Sequence, residues 1–159
     1  PVSNNLLYGE FHENSKLKTS MPYMEPVYNI LEKNHGKVIY FDFWARWCPP
    51  CLAEMEPLKQ LRSKYSTKDL VIYSICVSEP KEEWEECLNE YSLKNRGIEC
   101  IYASDYFGKD NLQKIRKQWK IDRMPYYLLL NRKGQIVDFG TTARPSNPQF
   151  ISRIEEALK

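Results

Sequence analysis

Apolar residues return at two different periods along the 159-residue chain, and the switching between them predicts a series of alternating helices and strands. Val27, Ile30 and Leu31 recur at helical spacing within residues 25–34, and Gly36 closes that helix. Residues 37–44 follow as a run of β-branched and aromatic residues, apolar on both faces, which predicts a central buried strand. Asp42 is the sole exception in it. Leu52, Met55, Leu58, Leu61 and Tyr65 then fall three or four apart and predict a helix from Pro50 to about Ser66, bent by the internal Pro57.

Further along, the pattern predicts a strand over 70–77, a helix over 81–94 stopped by Gly97, a short strand over 98–103, and a helix marked by Leu112, Ile115 and Trp119. Strands over 126–131 and 135–140 are separated only by Arg132-Lys133-Gly134, which predicts an antiparallel hairpin. Phe150, Ile151, Ile154 and Leu158 form the stripe of a closing helix behind Pro145 and Pro148. Strands that alternate with helices imply an α/β fold: a parallel core sheet covered on both faces, with the hairpin at one edge. Residues 1–23 are polar and irregular, with Pro22 as a breaker. They predict a lead-in, open to being a linker from a larger protein, ahead of a single domain over 24–159.

Composition narrows the classes. With 42% hydrophobic and 28% charged residues the chain is globular, and 23 basic against 21 acidic residues give no electrostatic case for nucleic acid. The longest uncharged apolar run, Tyr126 to Leu130, is far short of the ~20 residues of a membrane helix. The first residues show no secretory pattern and no initiator methionine, so a tether in a preceding segment stays open.

Five cysteines are too few and too odd in number for a disulfide framework. Cys48 and Cys51 stand apart because Trp47-Cys48-Pro49-Pro50-Cys51 joins a strand to a helix start. There, unpaired N–H groups and the helix dipole favour a thiolate at Cys48, and Cys51 lies one turn on, placed to attack a mixed disulfide. Cys48 is expected to stand nearer solvent as the nucleophile, with Cys51 shielded behind it. Pro49 and Pro50 delete two donors, so the N–H of Cys51 is left as the main one, which predicts a reductant or mild exchanger. A zinc site would need two further ligands, and His12, His35, Cys76, Cys87 and Cys100 are too dispersed to supply them except by tertiary coincidence.

Asp42 lies six residues before Cys48 in an apolar strand, where burial would raise its pKa and suit it to accept the Cys51 proton. The alternatives are a side chain turned outward or one paired with a lysine. Glu54 shares a helix face with Cys51 and is a second candidate; a solvated glutamate near a helix start is the plainer reading. Arg46 adds positive charge beside Cys48. Cys76, Cys87 and Cys100 read as structural, although a Cys87–Cys100 bridge is conceivable in an oxidising compartment.

The segment from Phe41 to Cys51 resembles the active site of thioredoxin-fold proteins, and Cys51-X-X-Glu54 resembles their TlpA/ResA branch, the periplasmic or membrane-tethered thiol–disulfide oxidoreductases of bacteria. The likeness runs from about Gly36 to the C-terminus through Met124-Pro125, Asn131 to Val137 and Arg144-Pro145-Ser146. It implies a thioredoxin-like fold, a central mixed sheet with helices on both faces, and residues 98–119 as the strand–helix insertion of that branch. It also implies that Pro125 is a cis-proline facing the disulfide, that the Met124 backbone pairs with an extended client, and that Trp47 and Pro49 form the client-facing rim.

The implied activity is exchange with protein thiols and disulfides through Cys48 and Cys51, with no cofactor beyond that redox-active disulfide. Electrons would come from an upstream redox partner, since no Gly-X-Gly-X-X-Gly is present. The implied location is the bacterial periplasm or cell envelope; a cytosolic tryparedoxin- or nucleoredoxin-like protein is the alternative, and a non-catalytic client-binding module the alternative of another class. Two features depart from the family pattern. Pro57 lies six residues past Cys51 rather than the usual five, and Asp42 and Glu54 occur together.

Overall fold

The computed structural model describes residues 21–159. Helix α1 (Glu25–Lys33) leads into β1 (Val38–Trp44), followed by the short α2 (Pro49–Ala53), α3 (Met55–Lys64) and β2 (Leu70–Cys76). Then come α4 (Lys81–Glu90), β3 (Ile98–Tyr102), α5 (Ala103–Phe107), α6 (Lys109–Gln118), β4 (Tyr126–Leu130), β5 (Ile136–Gly140) and α7 (Pro148–Leu158). The sheet order is β3-β2-β1-β4-β5. β1, β2 and β3 run parallel, while the β4–β5 hairpin joins β1 antiparallel, so the sheet is mixed and the hairpin occupies one side of it.

Every residue of β1 is buried, as its uninterrupted apolar run predicts. Strand alternation divides its side chains between two layers. Ile39, Phe41 and Phe43 enter a core with Val27, Ile30, Ile115 and Trp119. Val38, Tyr40 and Trp44 enter the opposite core, with Cys48, Cys51, Met55, Leu58 and Phe150. Asp42 belongs to the second series, so alternation alone assigns it to the cysteine side of the sheet.

The helix predicted over residues 50–66 is two helices, α2 and α3, which meet at Glu54. Pro57 has no N–H for the Ala53 carbonyl and its ring crowds that group, so the expected bend becomes a break. The helix predicted to residue 94 ends at Glu90; Ser92 and Asn95 take positive φ, and Leu93 between them is fully buried. The packed core also begins before residue 24. Met21 and Tyr23 lie against the first layer, and the Tyr23 hydroxyl donates to Gln118 Oε1 at 3.1 Å. The rest of the expected lead-in, with His12, lies outside the described residues. Among the described residues no helix is long and apolar enough to cross a membrane.

Candidate active site

The turn after β1 is held by its own sequence. Trp44 donates its indole N–H to Ser74 Oγ at 2.9 Å, and the Arg46 N–H donates to Ser78 Oγ at 2.8 Å. Cys48 then caps α2 in an extended conformation, and the Cys51 N–H donates to Cys48 Sγ at 3.3 Å. This is the donor that Pro49 and Pro50 leave available. Cys48 and Cys51 are disulfide-bonded, with Cα atoms 5.3 Å apart.

One expectation is corrected here. Cys48 does not stand out into solvent: it is 3% exposed and Cys51 2%, so accessibility does not distinguish them. Joined to each other, the sulfurs are seated against the second apolar layer, on which Met124 also packs. The exposed parts of the motif are Trp47, 68% exposed, Pro49 and Pro50, whereas Trp44 is fully buried. The Met124–Pro125 peptide is cis and Pro125 is buried. A second cis peptide, Glu79–Pro80, was not foreseen in the sequence.

Asp42 is 3% exposed on the cysteine side, which removes both the outward-facing and the lysine-paired readings, since it forms no ion pair among the described residues. Burial, and secondarily the negative charge of Glu54, push its pKa up to about 8. Glu54 is itself buried at the α2–α3 junction, not solvated. Ser146 holds it, the N–H donating to Oε1 at 2.9 Å and the hydroxyl to Oε2 at 2.6 Å. Thus the displaced proline leaves Glu54 in the same layer as the cysteines but tied to the loop before α7.

Several contributors were missed in the sequence. Tyr127 pairs with Asp42 across β1 and β4, and its buried hydroxyl has no hydrogen-bond partner among the described residues. Its ring stacks on Tyr40 at 5.6 Å between centroids, and the Tyr40 hydroxyl donates to the Ala143 carbonyl at 2.6 Å. Ser74, Ser78 and Ser146 complete the supports. The available signal was modest: for Tyr40, Ser74 and Tyr127, polar atoms on strands that otherwise read as wholly apolar, and for the loop residues Ser78 and Ser146, none. Cys76, Cys87 and Cys100 are free thiols, so the conceivable Cys87–Cys100 bridge is not formed. Cys100 instead donates to the carbonyls of Leu93 and Ile98. Burial raises all three thiol pKa values, that of Cys100 to about 11. Among the described residues no three His, Cys, Asp or Glu side chains gather as a metal-binding group.

The Redoxin family matches residues 22–158. The chain belongs to the Redoxin family. Among its relatives is the thiol-disulfide oxidoreductase ResA of Geobacillus thermodenitrificans, 33% identical over 122 residues that cover 76% of this chain and 64% of that protein. ResA of Bacillus anthracis is 27% identical over 103 residues, covering 65% of this chain and 54% of that protein. The chain therefore spans about half to two thirds of the length of these curated relatives. In structure it is similar to the thioredoxin domain of a thiol-disulfide oxidoreductase from Bacteroides vulgatus, with a TM-score of 0.63, 19% identity, and coverage of 81% of this chain and 84% of that one. The fold is thioredoxin-like and the chain is ResA-like.

Proposed function

We propose that this Redoxin-family chain is a thiol–disulfide oxidoreductase that reduces or exchanges protein disulfides through Cys48 and Cys51. One observation carries the reading: the two sulfurs form a bond across a single helical turn, with the Cys51 N–H directed at Cys48 Sγ. From the dithiol state, the Cys48 thiolate attacks a client disulfide, forms a mixed disulfide and expels one client thiolate. Asp42 takes the Cys51 proton, and the Cys51 thiolate attacks Cys48 Sγ. The second client thiolate leaves, and the Cys48–Cys51 disulfide remains. Two electrons have passed to the client, and an upstream redox partner must return them.

Asp42 suits the proton step because a carboxyl held near 8 is close to an ordinary thiol at ~8.5. Glu54, with both oxygens engaged by Ser146, contributes its charge to Asp42 and its place at the helix junction. Exposed Trp47, exposed Pro49 and the cis-peptide backbone at Met124 frame a surface suited to an extended protein segment. The ResA likeness supports placement in a bacterial cell envelope.

Insulin-disulfide reduction tests the proposal. The wild type should reduce insulin, Cys48→Ser should abolish the activity, and Cys51→Ser should accumulate mixed disulfides on Cys48. A Cys48→Ser protein as active as wild type, or one that binds clients equally well without either turning them over, would overturn it.

A further inference from the structure

We propose that Tyr127 is a positioning residue for Asp42, its phenolic hydroxyl supplying the hydrogen bond that the carboxylate needs while it carries the negative charge; this rests on Asp42 being the acceptor of the Cys51 proton. The two residues are directly opposed in the antiparallel β1–β4 register. Directly opposed side chains share one face of the sheet, with Cβ atoms about 4.5–5.5 Å apart. The Tyr127 ring cannot easily turn away, because it is fully buried and lies nearly parallel to Tyr40, at 10° between planes.

Among the ionisable groups around Tyr127, the register and the hydrogen bonds favour one assignment. Among the described residues Tyr127 Oη is a buried donor without a partner, a costly arrangement in a protein interior. The ionisable groups whose charges reach it are Tyr40, Asp42, Glu54 and Arg144. The Tyr40 hydroxyl already donates to Ala143 and both Glu54 oxygens already accept from Ser146, so neither group lacks a partner, although each keeps a lone pair. Arg144 offers only donors. Asp42 accepts no hydrogen bond from any described residue, although the buried Cys76 thiol of β2 lies within electrostatic reach and bonds instead to Ser78. A buried donor without an acceptor therefore lies directly across the strand pair from a carboxyl that accepts from no described residue. The proposed hydrogen bond joins them directly or through one internal water. When Asp42 is ionised the hydroxyl donates to it; after Asp42 takes the proton, the hydroxyl can turn and accept.

Tyr127→Phe removes one oxygen and nothing else. In the oxidised protein, the Asp42 titration followed by carboxyl-carbon NMR should move up by about one pH unit, with no loss of thermal stability. The pH profile of insulin reduction should move in the same direction. An unchanged Asp42 midpoint overturns the proposal, as does an equal shift of the activity profile in an Asp42→Asn background. Placing 3-fluorotyrosine at 127 strengthens the donor without changing the shape of the core, and should move the Asp42 midpoint down; no movement overturns the proposal even where Tyr127→Phe folds poorly. Failure of the underlying reading is separately visible. Asp42→Asn would then reduce insulin at the wild-type rate at every pH, whatever the NMR titration shows.

Discussion

Ser146 grips both carboxylate oxygens of Glu54 from 92 positions away in the sequence, at 2.9 and 2.6 Å. The contact fastens the loop before α7 to the junction between α2 and α3, immediately behind the disulfide helix. Ser146→Ala deletes the hydroxyl bond and keeps the N–H bond. The variant should lose about 1.5–3 kcal/mol of stability in urea denaturation, the usual worth of a hydrogen bond to a charged group. No loss would mean that solvent replaces the hydroxyl and that the backbone bond alone holds Glu54.

Thiol reactivity should be concentrated at one atom. Only the thiolate reacts readily, and burial keeps Cys76, Cys87 and Cys100 protonated, Cys100 up to about pH 11. Brief iodoacetamide treatment of the reduced, folded protein at pH 7 should add one carbamidomethyl group, mapped by mass spectrometry to Cys48. Labelling of Cys100 at a matching rate would contradict this.

Much of this arrangement is written locally in the chain. The apolar run of β1, the glycine between the hairpin strands and the strand-to-helix setting of the cysteines each depend on neighbours a few residues apart, which is why periodicity and turn chemistry find them. Asp42 was legible for the same reason, as one acid in an apolar strand. The break at Glu54 was half legible: Pro57 announces a disturbance, but its form depends on the unpaired Ala53 carbonyl. What could not be read locally are the pairings made by folding. Glu54 was open to two readings, a proton carrier for the thiols or a solvated residue near a helix start, until Ser146 and the second layer enclosed it. Tyr127 becomes a neighbour of Asp42 only through the antiparallel register, and the burial of Cys48 depends on the layer beneath it.

Arg62 offers a test of the scaffold separate from the chemistry. It is 4% exposed, and its guanidinium donates to the Leu70 carbonyl at 2.6 Å and the Tyr65 carbonyl at 2.8 Å, joining the end of α3 to the start of β2. Arg62→Ala removes one donor from each of two carbonyls and the packing of the side-chain stem. It should cost about 2–3 kcal/mol in urea denaturation, with insulin reduction by the folded fraction unchanged. Arg62→Lys should recover only part of the loss, because one ammonium cannot reproduce the fork.

Asp42 should make the oxidised protein less stable as pH rises. Its carboxyl holds a proton to about pH 8 in the folded chain, against an ordinary value of 3.8. Between those values the folded state binds a proton that the unfolded state has released, so the unfolding free energy falls with increasing pH. Below about pH 4 both states are protonated and the penalty vanishes; above about pH 8 it is fully present. At about 1.4 kcal/mol per pH unit, the loss between pH 5 and pH 8 should be of the order of a few kcal/mol. Cys48 and Cys51 cannot titrate while joined, so the oxidised protein isolates the effect. Urea denaturation at both pH values should show a larger loss for wild type than for Asp42→Asn, whose amide does not ionise. Equal losses in the two proteins would mean that Asp42 ionises normally in the folded chain, leaving Cys51 without a carboxyl matched to its thiol.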